Sequence, residues 1–286
     1  MSAIIEKPRI VRAENSHKGT FGTALIISGS YGMAGAAMLC TNACLKSGVG
    51  IAKLCIPSSI YDIVAKGISE AVFVPCGIKP FKRFSLGAIN KIKPHIKTAN
   101  SIVIGCGMSQ GFFNKRLLKY VIKNADCPII IDADGINMLS RSIDILRRAR
   151  AEIVLTPHPK EFSRLSGKGV AEIEADREKA ACDFAREYGV YVVLKGHETV
   201  VSSPAGEVFI NQTGNSGMAT GGSGDTLSGI LAARVAQNKE LLQAVKESVY
   251  IHGMCGDMAA QKLSKTSMLP SDMIEQLPFV FKNLEE

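Results

Sequence analysis

The chain contains no tryptophan, and aromatic residues make up only 6% of its 286 positions. The few aromatics are not interleaved with basic residues, so no stacking platform for nucleic acid is expected. No apolar run approaches the ~18 residues of a membrane span. The N-terminus carries Glu6, Lys7, Arg9 and Arg12 where a secretory signal needs an apolar core. An HExxH motif, a second cysteine pair and a His–Cys cluster are all missing, which removes the common zinc sites. The eight cysteines lie scattered from Cys40 to Cys255, mostly inside apolar runs, and read as buried thiols. Cys40 and Cys44 share a helix face but have no further ligands nearby. Reduced thiols and no signal segment give the expectation of a cytoplasmic protein that binds neither nucleic acid nor membrane.

What is present is an ordinary globular composition, 46% hydrophobic and 21% charged, long enough for a large core. The net charge of +8 is spread along the chain and suits an anionic small molecule as well as a polymer, with solvated surface lysine accounting for most of it. No linker, low-complexity segment or internal repeat interrupts the sequence, so a single domain over residues 1–286 is expected.

From about residue 22 short β-branched runs alternate with helical periods, the pattern of a mainly parallel sheet covered by helices. Strands are expected at residues 23–28, 50–56, 71–75, 101–105, 128–132, 152–156, 191–195, 199–202 and 208–211. The last two, separated by Pro204, Ala205 and Gly206, read as an edge hairpin. Helices are expected at 34–47, 114–124, 172–188, 225–237 and 239–263, with a short one after Pro270.

The densest signal lies at residues 211–229, NQTGNSGMATGGSGDTLSG, where six glycines surround one aspartate before a helical pattern begins. Gly214, Gly217, Gly221, Gly222 and Gly224 permit close approach of a ligand to the backbone, so amides can converge on a phosphate, helped by the following helix dipole. Asp225 repels a phosphate, and its presence there calls for a general base, a magnesium–water ligand or a helix cap. Five further segments stand where parallel sheets bind ligands, just after strand runs. They are the small-residue turn at 28–36, the glycine turn Gly105-Cys106-Gly107, the carboxylates Asp132 and Asp134, the segment LTPHPKEF at 155–162, and KGHET at 195–199. The GxGxxxG spacing at Gly105 departs from a dinucleotide fingerprint and is weak alone. His158 is fixed between Pro157 and Pro159, which favours a ligand role over a structural one, and Lys195 at a strand end can reach a phosphate.

Taken in order, HKGTFGTALIISGSYGMAGAA, VIGCGM, IIDADGINML, LTPHPKEF, KGHETVV and GNSGMATGGSGDTLSGI resemble the ribokinase-like superfamily, and more closely its ADP- or ATP-dependent NAD(P)H-hydrate dehydratases, over about residues 17–235. The resemblance implies a three-layer α/β/α fold with a mainly parallel central sheet. It implies repair of hydrated NADH and NADPH (the S epimer) with ADP, or ATP in its place, as co-substrate, and with Mg²⁺. In that scheme Asp225 is the base, also touching substrate, and Ala36, Gly107 and His158 contact the hydrated cofactor. Lys195, Gly196, His197, Glu198 and Thr199, with Gly221, Gly222, Ser223 and Gly224, hold the nucleotide. ADP is the better expectation, because stand-alone dehydratases of bacterial type resemble ADP users. A homo-oligomer, a tetramer by resemblance, is expected. No room precedes His17 for the fused epimerase domain of many relatives, so a separate epimerase is expected to serve the same substrate pool. Two departures are Cys106, where relatives often have proline, and His197, where a smaller residue is common. The rival readings are a small-molecule kinase of the same superfamily, acting on a vitamin precursor or sugar, and a nucleotide-binding regulator without catalysis.

Overall fold

The computed structural model describes residues 2–77, 83–85, 87–237 and 240–285. In chain order the elements are β1 (Ala3–Ile4), β2 (Thr23–Ile27), α1 (Ala34–Lys46), β3 (Ile51–Pro57), α2 (Tyr61–Val64), β4 (Val72–Cys76), α3 (Ala88–Ile96), β5 (Ser101–Ile104), α4 (Phe112–Asn124), β6 (Ile129–Ile131) and α5 (Asp134–Leu139). They continue with β7 (Ile153–Leu155), α6 (Pro159–Ser166), α7 (Val170–Ala175), α8 (Arg177–Tyr188), β8 (Tyr191–Leu194), β9 (Thr199–Ser202), β10 (Val208–Asn211), α9 (Ser223–Ala236), α10 (Leu241–Lys262) and α11 (Pro270–Glu285). The strands form one ten-stranded sheet in the order β1-β10-β9-β8-β7-β6-β5-β2-β3-β4. Every neighbouring pair from β4 to β8 is parallel, whereas β9 runs antiparallel to both β8 and β10.

Alternate residues of the buried strands feed two cores, one on each face. Leu25, Ile27, Ile102, Ile104, Ile129 and Ile131 pack with α3, α4 and α8. Their neighbours Ala24, Ile26, Val103 and Ile130 pack with α1, α9 and α10 on the other face. A further apolar cluster seats α11 on α10 and α9. The helix-covered, mainly parallel sheet expected from the alternating pattern, and the α/β/α layering the resemblance implies, are therefore present, and they place the carboxyl ends of β2, β5, β6, β7 and β8 along one edge. Among the described residues no helix is long and apolar enough to cross a membrane.

Several details differ from the sequence expectation, among them the short helices α2, α3, α5 and α6, which were not among the expected ranges. Strand β1, two residues long, closes the edge beside β10 and was not foreseen, because so short a segment has no readable period. The helical pattern at 172–188 is broken at Asp176, whose non-helical backbone ends α7 while its carboxylate caps α8 at the Lys179 amide. The C-terminal helix is 16 residues long, not short. The first residues of the helix expected at 239–263 fall partly outside the described residues, and α10 starts at Leu241 with Glu240 as its cap. The edge hairpin forms as expected, with Gly206 at φ 89° in its turn.

Candidate active site

Helix α9 begins two residues earlier than the sequence indicated. Gly222, at φ 99°, is its N-cap and makes no side-chain cap bond, so Asp225 lies inside the first turn. Capping of α9 is thus not what Asp225 does. Of the loop glycines, Gly222 shows why the residue type matters: a left-handed backbone starts the helix, and a β-carbon there would come within 2.6 Å of Leu39. Ser228, three residues after Asp225 on the same helix face, donates to Asp132 Oδ2 at 2.9 Å. The helix therefore turns one polar face toward the end of β6.

Asp132 is the buried centre of this edge. Its Oδ1 accepts from Lys195 Nζ at 2.8 Å, and Glu161 Oε2 lies 4.0 Å from the same ammonium. Burial raises the Asp132 pKa, but Lys195 and the hydroxyls of Thr156 and Ser228 more than offset it and hold the carboxyl below its ordinary range. Burial likewise works against the Lys195 charge, and Asp132 and Glu161 outweigh it, so the ammonium is held more firmly than usual. Asp225 experiences the opposite balance. Burial, then the Asp132 charge, pushes its carboxyl up to about 6, against weaker lowering by Cys106 and Lys195. A carboxylate tuned in this direction is suited to taking a proton near neutral pH.

Cys106 joins Asp132 and Asp225 so closely that one ligand atom from each lies within 4.8 Å of the others. Its thiol is held protonated by a hydrogen bond with Cys40 and by burial. One residue on, Gly107 takes φ 60°, and a β-carbon there would stand 2.7 Å from the Ala36 methyl. Ala36 and Gly107, assigned to substrate by resemblance, are thus brought together. Ser30 locks the two turns by donating to the Gly107 carbonyl at 2.8 Å. Asp134 accepts from the Ser109 amide at 2.8 Å and so braces the same turn from β6, while Ala133 between the two aspartates is strained at φ 47°.

His158 has a structural duty that the sequence had ranked second. It is the N-cap of α6, its Nδ1 accepting from the Lys160 and Glu161 amides at 3.1 and 3.3 Å, while Glu161 Oε2 accepts from the His158 amide at 2.9 Å. Pro159 occupies the first helical position. Because Nδ1 is an acceptor, Nε2 carries the proton and stands 3.6 Å from Glu161 Oε1. Burial and the nearby Lys195 and Arg164 charges lower the ring's pKa.

The segment 195–199 divides. Lys195 faces Asp132 and comes close to Gly224, where a β-carbon would lie 3.1 Å from its Nζ. Gly196, His197 and Glu198 form the exposed turn into β9, fastened from beneath by Arg177, which donates to the carbonyls of Leu194 at 2.8 Å and of His197. Thr199 bonds the Gly196 carbonyl at 3.1 Å. Thus Lys195 is drawn into the carboxylate cluster with Asp225, Gly224 and His158, whereas Gly196 to Thr199 form a separate rim.

Two residues that sequence reading missed hold the glycine-rich loop. Asp257 Oδ2 accepts from the Gly214 amide at 2.8 Å, and its Oδ1 from Asn215 at 3.0 Å. His252 Nε2 lies 2.9 Å from the Ser223 carbonyl, and burial lowers its pKa to about 4, so a neutral ring donates there. Both residues sit on α10, and the only sequence sign of either was a polar side chain inside a mostly apolar helix.

A family model described as NAD(P)H-hydrate dehydratase matches residues 24–279. The bifunctional NAD(P)H-hydrate repair enzyme of Moorella thermoacetica is 36% identical over 275 residues, covering 96% of this chain and 52% of the relative. The chain therefore spans about half the length of such bifunctional relatives. The ADP-dependent (S)-NAD(P)H-hydrate dehydratase of Neisseria meningitidis is 36% identical over 250 residues, covering 86% of this chain and 80% of that protein. The crystal structure of the ADP/ATP-dependent NAD(P)H-hydrate dehydratase of Bacillus subtilis, co-crystallised with ATP and Mg²⁺, superposes with a TM-score of 0.83 at 30% identity, covering 97% of this chain and 95% of that one.

Proposed function

The chain belongs to the NAD(P)H-hydrate dehydratase family, and we propose that it removes the bound water from hydrated NADH and NADPH at the expense of ADP or ATP. The observation that carries this reading is the placement of Asp225. A half-buried carboxyl, pushed up to about 6, stands in the first turn of a helix fed by a glycine-rich loop, against the Asp132–Lys195 pair. A protein that only bound nucleotide would gain nothing from a base among its phosphate donors.

The chemistry follows from the poor leaving ability of a hydroxyl. Asp225 takes the proton from the ring hydroxyl as its oxygen attacks the terminal phosphorus of ADP, breaking the bond to the departing AMP. The amides at the start of α9 meet charge on the transferring group. The phosphorylated carbon then loses phosphate, a ring proton departs, and the double bond of the reduced nicotinamide returns. Lys195 keeps Asp132 ionised, and Asp132 in turn keeps Asp225 basic.

Mg²⁺ fits this site only as an ion carried on phosphate. Two carboxylates, Asp132 and Asp225, offer oxygen donors, but the third member of the cluster is a protonated, soft thiol, and Asp132 is already neutralised by Lys195. Asp132 and Asp225 are the residues that would hold such an ion, and it would supply charge neutralisation for the phosphoryl transfer. Ala36, Gly107 and the His158 ring are the proposed contacts of the hydrated ring, and Gly196 to Thr199 with Gly221 to Gly224 those of the nucleotide. We place the protein in the cytoplasm, as an oligomer sharing its substrate pool with an epimerase activity.

The test is direct. The protein is mixed with hydrated NADH, Mg²⁺ and either ADP or ATP, and the reduced-nicotinamide absorbance and free phosphate are followed together. Recovery of absorbance with one phosphate per turnover is expected. Phosphoryl transfer without recovery would leave a kinase, and neither signal would leave a binding protein.

A further inference from the structure

Beyond the reacting centre, a cleft of about 270 Å³ opens between the start of α4 and the end of α5, lined by Gln110, Gly111, Phe112, Lys115, Met138 and Arg141. It adjoins the centre along the chain. Gln110 and Gly111 continue the Gly107 turn, and Arg141 follows Asp134 by seven residues, on the order of 10 Å of helix. The two cations in it are uncommitted: among the described residues neither Lys115 nor Arg141 makes an ion pair, and no carboxylate lines the cleft. Two further cations stand nearby, and the Asp134 carboxylate, bonded to the Ser109 amide, lies on the side of the reacting centre. Arg83 donates to the Gln110 carbonyl at 2.9 Å, and Arg164 donates to Asn137 at 2.7 Å beside Met138. Phe112 is 68% exposed, with the Phe113 ring edge-on at 5.6 Å between centroids and the Arg116 guanidinium 5.6 Å from its ring.

We propose that this cleft is the subsite for the far end of the hydrated cofactor, with adenine against Phe112 and the ribose 2′-phosphate of hydrated NADPH between Lys115 and Arg141. Exposed aromatic faces accept a purine by stacking, and paired long cations accept a phosphomonoester. Selection of the unphosphorylated ribose is made elsewhere by a carboxylate that reads the 2′-hydroxyl, and arginine takes its place where the phosphate is accepted. The cleft has the cations and lacks the carboxylate. It therefore gives preference to hydrated NADPH over hydrated NADH. The inference rests on the dehydratase reading and adds to it which of the two hydrates the chain favours.

The experiment compares the wild type with the Lys115→Gln/Arg141→Gln variant, checked by circular dichroism. With ADP saturating, kcat/KM on hydrated NADPH is expected to fall about ten-fold or more, the scale of losing charge-assisted phosphate contacts, and on hydrated NADH by less than about three-fold. Equal loss on both substrates would move the cations to the shared pyrophosphate, and no loss on either would empty the cleft; each result overturns the proposal. Calorimetric titration with NADP⁺ and NAD⁺ at saturating AMP gives a second readout. A wild type that restores neither hydrate yet loses its NADP⁺ preference in the variant would reject the activity and keep the subsite.

Discussion

Lys195 Nζ meets Asp132 Oδ1 at 2.8 Å, joining the carboxyl ends of β8 and β6 across 63 residues of sequence. The pair is lopsided in burial, with 21% of the lysine side chain and 2% of the aspartate exposed. For both groups burial is the largest force against the charge, and each is the other's largest support. A lysine that sequence alone places at a nucleotide phosphate turns out to be tied first to a carboxylate, two groups away from the base.

Breaking that pair from one side strands a buried charge. Lys195→Met is expected to lower stability by about 3–5 kcal/mol, as is usual when one partner of a buried ion pair is removed. Asp132→Asn destabilises as well, whereas the double variant should lose clearly less than the sum. Urea denaturation of the four proteins measures the coupling, and additive losses would show that the two side chains act independently.

His158 separates a cap from a ligand. Replacing it by Ala removes the acceptor for the Lys160 and Glu161 amides and should cost about 1 kcal/mol. Asparagine caps helices well, so His158→Asn should recover most of that stability. If the ring also contacts the hydrated cofactor, both variants raise KM alike while ADP affinity stays put. A normal KM in the asparagine variant would leave His158 as a cap alone.

Gly224 lies in α9, where alanine favours helix by about 1 kcal/mol. Its added methyl, however, would sit 3.1 Å from Lys195 Nζ and 3.5 Å from Asp132 Oδ2, in the space between helix and ion pair. Gly224→Ala should therefore be as stable as the wild type and yet bind ADP at least about ten-fold more weakly, the effect of one lost charge-assisted phosphate contact. Unchanged ADP titrations would take the start of α9 out of the phosphate site.

The sheet was legible because parallel strands are buried on both faces and read as unbroken apolar runs such as SIVI and YVVL. The edge that carries the candidate site followed from the same pattern, since Asp132, His158 and Lys195 each stand at or just past the end of such a run. Their partners did not follow. His252 serves Ser223 from 29 residues away, and Asp257 serves Gly214 from 43, contacts that have no local period. The break at Asp176 was hidden because apolar spacing continues across it, and only the cap bond to Lys179 marks it. The Nδ1 cap of His158, three residues before Glu161, was available as a capping box, with histidine in a place usually held by serine or threonine.

Asp225 has two pH signatures of opposite use. With its pKa at about 6 as the free enzyme's base, kcat/KM should rise about ten-fold per unit below that pH and level above it. Stability runs the other way. The folded carboxyl holds its proton more tightly than the unfolded one, whose value is 3.8, so the stabilisation is complete below that value and is lost as pH rises through about 6. Asp225→Asn does not suffer that loss and should be more stable than the wild type at pH 8, by about 1–3 kcal/mol, with the gap closing below pH ~4. The same substitution should keep ADP affinity, since it removes a negative charge beside the phosphates, while turnover drops about 10²-fold or more and loses its acid limb. Paired denaturation and rate profiles over that range check all of this in one variant. Coincident stability curves for the two proteins would mean Asp225 titrates as an ordinary surface carboxylate, and near-normal turnover would mean another group takes the proton.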